Sequence, residues 1–178
     1  MKSSKVAKRY ARALLGLSED ANQLEIWGAE IEKLGRMVEA PELATAFASP
    51  EIAPTAKIEA LAKIAEKLEA SYPVRSFAAV VARHGRIDDL PAVADAYRRM
   101  LDQRMGRARA SLTFAQAPSD SDLARVIAGL ETIAHKTIIP TVNVDAALIG
   151  GVVVELEGKT YDGSLANRLA EAARRLAG

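Results

Sequence analysis

The sequence predicts a mainly α-helical protein in two parts: an antiparallel bundle of five or six short helices over residues 1–106, then a small α+β (βαββα) unit over residues 107–178. Three observations carry this prediction. Apolar residues recur at three- and four-residue spacing through the first part, the period switches to two just after Gly106, and proline- or glycine-containing breaks punctuate the first part at short intervals.

Element by element, Val6, Tyr10, Ala13, Leu14 and Leu17 share one helical side, with Lys5, Lys8, Arg9 and Arg12 mainly on the others. Leu24, Trp27, Ile31, Leu34 and Val38 form a second stripe, and Ile58, Leu61, Ile64 and Leu68 another. Further turns follow in Val74, Phe77, Val80 and Val81, and in Leu90, Val93, Tyr97, Met100 and Leu101. Pro41, Pro50, Pro54, Tyr72-Pro73 and His84-Gly85-Arg86 separate these segments, and Pro91 fits the first turn of the last helix.

Beyond Gly106, Ala108, Ala110, Leu112 and Phe114 alternate with polar residues, as in a strand buried on one side. Pro118 to Asp122 supplies helix-start residues, and Leu123, Val126, Ile127, Leu130, Ile133 and Ala134 return to helical spacing. Val142 and Val144 against Thr141 and Asn143 make a second strand. Val152, Val154 and Leu156 against Glu155 and Glu157 make a third, with Gly158 a hairpin candidate leading into Thr160-Tyr161. Asp162-Gly163-Ser164 would cap a last helix bearing Leu165, Leu169, Ala172, Ala173 and Leu176 on one side.

Composition narrows the function. Of 178 residues, 49% are hydrophobic and 26% charged, a globular balance, and 24 basic residues against 23 acidic ones leave a net charge of +1. There is thus no global field to hold nucleic acid or an anionic membrane. The two parts are alike: residues 1–106 hold 16 basic and 15 acidic side chains, and residues 107–178 hold 8 of each. The absence of cysteine excludes disulfides, thiolate metal sites and cysteine nucleophiles. Two histidines, His84 and His135, lack the companion ligands of a metal site, so neither metal nor cofactor is expected. Aromatic residues, at 4%, are too scarce for a base-stacking platform. No apolar run is long enough to span a bilayer, and the start lacks the apolar centre of a secretory signal. Its basic, acid-free character faintly resembles a mitochondrial transit peptide, but the apolar pattern continues into the first helix without a processing break.

Motifs that could carry chemistry read better as structure. Gly150-Gly151 leads into a strand and lacks the Lys and Ser/Thr of a phosphate loop, so it is expected to relieve backbone strain at a turn. Asp162-Gly163-Ser164 has no surrounding nucleophile-elbow pattern and reads as a cap. Asp88-Asp89 suits a helix start, and His84 and His135 suit helix C-termini. The basic first helix is open to three readings: a solvated bundle helix, a surface for a partner helix, or a helix binding lipid or nucleic acid. The residues alone describe a two-part, non-catalytic chain suited to interaction.

The run Val142 to Val154, with Asp145, Leu148, Gly150 and Gly151 in it, followed by Asp162, Gly163, Ser164, Arg168 and Leu169, resembles the C-terminal signature of the F-type ATP synthase delta subunit family. The mitochondrial counterpart is the oligomycin sensitivity-conferring protein. Val6 to Leu14 is similar to that family's first helix, and Arg86, Leu90 and Tyr97 fit its sixth. The chain departs from the family where Ala146 replaces the frequent proline after Asp145, which leaves that loop less rigid, and where Arg109 to Leu112 matches the usual strand only loosely.

The resemblance implies a non-catalytic stator subunit of the proton-translocating ATP synthase that links the catalytic head to the peripheral stalk and resists rotational torque. In the family, an N-terminal six-helix bundle, here residues 1–106, accepts the N-terminal helix of an alpha subunit between its first and fifth helices. The C-terminal domain, here residues 107–178, holds the b subunits. Carried onto this sequence, the groove candidates are Tyr10, Ala13, Leu14, Leu17, Val74, Phe77 and Val81, each also able to serve the bundle's own core. The implied location is peripheral, at the cytoplasmic face of a bacterial inner membrane, without direct membrane insertion. The competing reading is a helical adaptor that binds nucleic acid through its basic N-terminus.

Overall fold

The computed structural model describes residues 4–163. The chain divides into two compact units, Met1–Asp102 and Gln103–Gly178. It is mainly helical with one small mixed sheet.

The first unit is built from α1 (Ser4–Leu15), α2 (Ala21–Glu39), α3 (Pro41–Ala48), α4 (Pro54–Lys67), α5 (Tyr72–Arg83) and, after a 3-10 turn at Ile87–Asp89, α6 (Leu90–Arg104). Local chemistry sets the starts. The Asp20 carboxylate accepts from the Asn22 N–H at 2.8 Å at the head of α2. Pro41 and Pro54 open α3 and α4, where a missing N–H costs nothing. α5 has no cap of its own, and Glu30 of α2 supplies one: its Oε2 accepts from the Ser71 N–H at 3.0 Å and from the Ser71 hydroxyl at 2.7 Å.

The α2 stripe is buried as its spacing requires, with Leu24, Trp27, Ile31, Leu34 and Val38 all inside. α2 and α6 approach closely because Gly28 and Gly35 stand one heptad apart on the contact face. A Cβ on Gly28 would lie 3.2 Å from the Tyr97 ring, and one on Gly35 3.2 Å from the Pro91 Cα. Tyr97 is fully buried there and donates its hydroxyl to the Leu24 carbonyl at 2.9 Å. Leu17 does not belong to the first helix as its spacing suggested. α1 ends at Leu15, and Leu17 stands in the following turn, 65% exposed.

The second unit runs β1 (Arg107–Phe114), α7 (Asp120–Ala134), β2 (Thr137–Val144), β3 (Val152–Leu156) and β4 (Lys159–Asp162), with sheet order β2-β1-β3-β4. β1 pairs in parallel with β2 across the α7 crossover and antiparallel with β3. Ala108, Ala110, Leu112 and Phe114 form the buried side of β1, joined by Leu130, Ile138, Val154 and Leu156. Ile133 was expected on the buried side of α7 but sits at the margin of that stripe, 64% exposed. β2 begins at Thr137, earlier than the Thr141–Val144 alternation indicates, because parallel pairing with Arg107 starts directly after the left-handed His135 that ends α7.

The segment after Gly158, expected only as the exit of a hairpin, pairs with β3 as a fourth strand. Glu157 and Gly158 both have positive φ, 50° and 81°, the geometry of a two-residue turn that matches strand twist. The expected last helix, including Ser164, Arg168 and Leu169, lies outside the described residues.

Candidate functional site

The aromatic residues of α1 and α5 meet. The Tyr10 ring stands edge-on to Phe77, centroids 6.1 Å apart, and to His84 at 6.5 Å. His84 is the C-cap of α5; its Nδ1–H donates to the Val80 carbonyl at 2.7 Å, which orients the ring beside Tyr10. The Arg9 guanidinium lies 5.7 Å from the Tyr10 ring centre. The two helices thus touch at this ring cluster, and the surface flanking it forms an α1–α5 strip.

The seven groove candidates divide along this strip. Leu14, Val74 and Val81 are fully buried and belong to the bundle core. Phe77 is also buried, but its ring edge carries the half-buried Tyr10. Ala13 and Leu17 are exposed. Outside the seven, Val80 on α5 is 44% exposed and Tyr72 at its start 77% exposed. α5 is thus apolar on more of its circumference than it buries.

The signature residues of the second unit serve the backbone. The Asp145 N–H donates to the Phe114 carbonyl at 2.8 Å, and the Asp145 carboxylate accepts from the Ala147 N–H at 2.9 Å. This side-chain turn replaces the restraint a following proline would provide. Leu148 is half-buried and donates its N–H to the Asp145 carbonyl at 3.1 Å. Gly151 takes a φ of 87° on entry to β3, whereas Gly150 has no positive φ. Gly163 packs so tightly that a Cβ would stand 3.0 Å from the Val152 carbonyl oxygen, to which its own N–H donates. Asp162 ends β4.

An open depression of about 670 Å³ lies between this loop and the start of α7, lined by Phe114, Pro118, Asp122, Leu148, Ile149 and Val152 among others. Among the described residues no three His, Cys, Asp or Glu side chains gather to hold a metal ion. The glycine pair leads into a strand and not a helix, so its amides form no helix-terminus phosphate cradle. The arrangement offers surfaces for binding.

Comparison with known proteins identifies the family. The profile described as ATP synthase delta (OSCP) subunit matches residues 6–176. The chain belongs to the ATP synthase delta (OSCP) family. It is 32% identical over 170 residues to ATP synthase subunit delta of Desulfatibacillum aliphaticivorans, covering 95% of this chain and 93% of the relative. It is 34% identical over 166 residues to that of Anaeromyxobacter dehalogenans (strain 2CP-C), covering 92% of each. In fold it is similar to a chain of the Toxoplasma gondii mitochondrial ATP synthase hexamer, with a TM-score of 0.68 at 18% identity and 97% of both chains covered. Delta (OSCP) proteins are structural, non-catalytic subunits of the F-type ATP synthase, peripheral to its membrane complex. No described helix of this chain is long and apolar enough to cross a membrane.

Proposed function

We propose that this chain is the stator subunit that ties the catalytic head of an F-type ATP synthase to the b subunits of the peripheral stalk. The first unit, as the six-helix bundle of residues 1–106, takes the N-terminal helix of an alpha subunit along α1 and α5. The second domain, residues 107–178, holds the b subunits, and the assembly sits at the cytoplasmic face of a bacterial inner membrane.

The observation that carries the head-binding half is the α1–α5 strip, where Tyr10, Ala13, Leu17 and Val80 remain accessible beside the Tyr10–Phe77 ring pair. An amphipathic helix laid on such a strip is held by apolar burial, with anchors at three- and four-residue spacing. The work is mechanical. Proton flow turns the central shaft, the shaft drags on the head, and a stator bound at both ends opposes that torque. High affinity and a stiff bundle are the properties required, and neither needs a reacting group.

Calorimetric titration of the intact chain with a synthetic N-terminal segment of its own alpha subunit tests the head contact. Saturable one-to-one binding is expected, weakened more than tenfold by Val80→Asp with the melting temperature unchanged. Absence of saturable binding would refute the reading.

A further inference from the structure

The walls of the α1–α5 strip share an electrostatic property that their apolar residues conceal. α1 carries Lys5, Lys8, Arg9 and Arg12 and no carboxylate; α5 carries Arg75 and Arg83 and no carboxylate, with His84 at its end. All are exposed. Among the described residues none of the six lysines and arginines has a carboxylate partner, whereas Arg86 and Arg98 elsewhere in this unit are paired with Asp89 and Asp95. The unit as a whole is almost neutral, so concentrating unpaired cations on these two helices leaves its acids on other elements.

Helical spacing places Arg9 next to the Tyr10–Ala13 side of α1, and Arg83 next to Val80 and His84 on α5. Each wall therefore ends in a cation where the apolar strip meets solvent. We propose, building on the reading that a helix lies along α1 and α5, that the occupant is an amphipathic protein helix whose polar flanks carry carboxylates, and that these paired charges select its identity and orientation. Complementary rims of this kind act mainly on association rate and on rejection of wrong partners. An anionic bilayer suits the geometry less well, because Ala7, Ala11, Leu14 and Leu15, the apolar side of α1, are already buried in the bundle.

The test uses the intact chain and two synthetic amphipathic helical peptides that share one Leu/Ile face and differ only in Glu or Lys at the flanks. The Glu-flanked peptide binds about tenfold tighter at low salt, and the preference shrinks as the ionic strength rises past the point where screening reaches about 10 Å. The double variant Arg9→Glu/Arg83→Glu reverses the preference, and Arg9→Lys/Arg83→Lys retains it; circular dichroism and melting temperature establish that both remain folded. If both peptides bind equally and only Val80→Asp weakens them, the charge proposal falls while the helix-binding reading stands. If neither peptide binds and the alpha-subunit segment also fails, both fall. Binding to phosphatidylglycerol-containing vesicles in place of either peptide overturns the proposal in favour of a membrane surface.

Discussion

Glycine has opposite meanings at two helical positions of this chain. A Cβ on Gly35 would press to 3.2 Å on the Pro91 backbone, which cannot swing aside as a flexible side chain would. Gly129, inside α7, has nothing within 4 Å of the same atom. Gly35→Ala should therefore destabilise the first unit by about 1–3 kcal/mol despite its better helix propensity. Gly129→Ala should stabilise the second by about 0.5–1 kcal/mol. Urea unfolding followed by circular dichroism measures both, and a gain from Gly35→Ala would show that the α2–α6 approach is looser than its geometry. Tyr97→Phe keeps the packed ring and removes one buried hydrogen bond to Leu24, for an expected loss of about 0.5–1.5 kcal/mol.

At the scale of elements, α5 and β2 each depend on a glutamate from a neighbouring helix. Glu30 occupies the N-terminus of α5, where its charge also complements the helix dipole. Glu30→Ala should cost about 1–2 kcal/mol and loosen the first turn of α5, seen as faster amide exchange at Val74 and Arg75. On β2, the Thr137 N–H bonds to Gly106, so alternate residues from Ile138 onward turn their backbone away from β1. The Ile138 N–H is taken by the Glu131 carboxylate at 3.1 Å, and Pro140 has no N–H to offer. This half of the edge is closed to strand addition. Glu131→Ala combined with Pro140→Val should open it and raise self-association in sedimentation velocity, whereas a chain that stays monomeric would show that other features guard the edge.

At the scale of the molecule, the proposed helix binding rests on what the first unit leaves uncovered. Val80→Asp removes an apolar side chain from the α1–α5 strip without entering the core, so under the proposed function it should weaken binding of the alpha-subunit segment far more than it lowers stability. Val81→Asp, one residue on, places a charge at a fully buried position and should unfold the bundle. Comparing the two separates loss of a surface from loss of the scaffold that presents it.

The sequence by itself determined most of the element types among the described residues, β4 excepted, and most of their buried sides, because period follows backbone geometry. A three-four repeat can bury one side only as a helix, and Ala108 to Phe114 can do so only as a strand. It also determined the family, since the matching segments span nearly the whole chain. Tertiary structure decided what each apolar residue is used for. Leu14 and Tyr10, or Val81 and Val80, are neighbours on one broad stripe, and nothing in their spacing tells which edge of it meets the bundle and which stays open. Long-range partners were equally illegible: Glu30 reaches Ser71 across forty-one positions, and Tyr97 reaches Leu24 across seventy-three. Such pairs are set by how the helices pack, a property of many side chains together and of no local pattern.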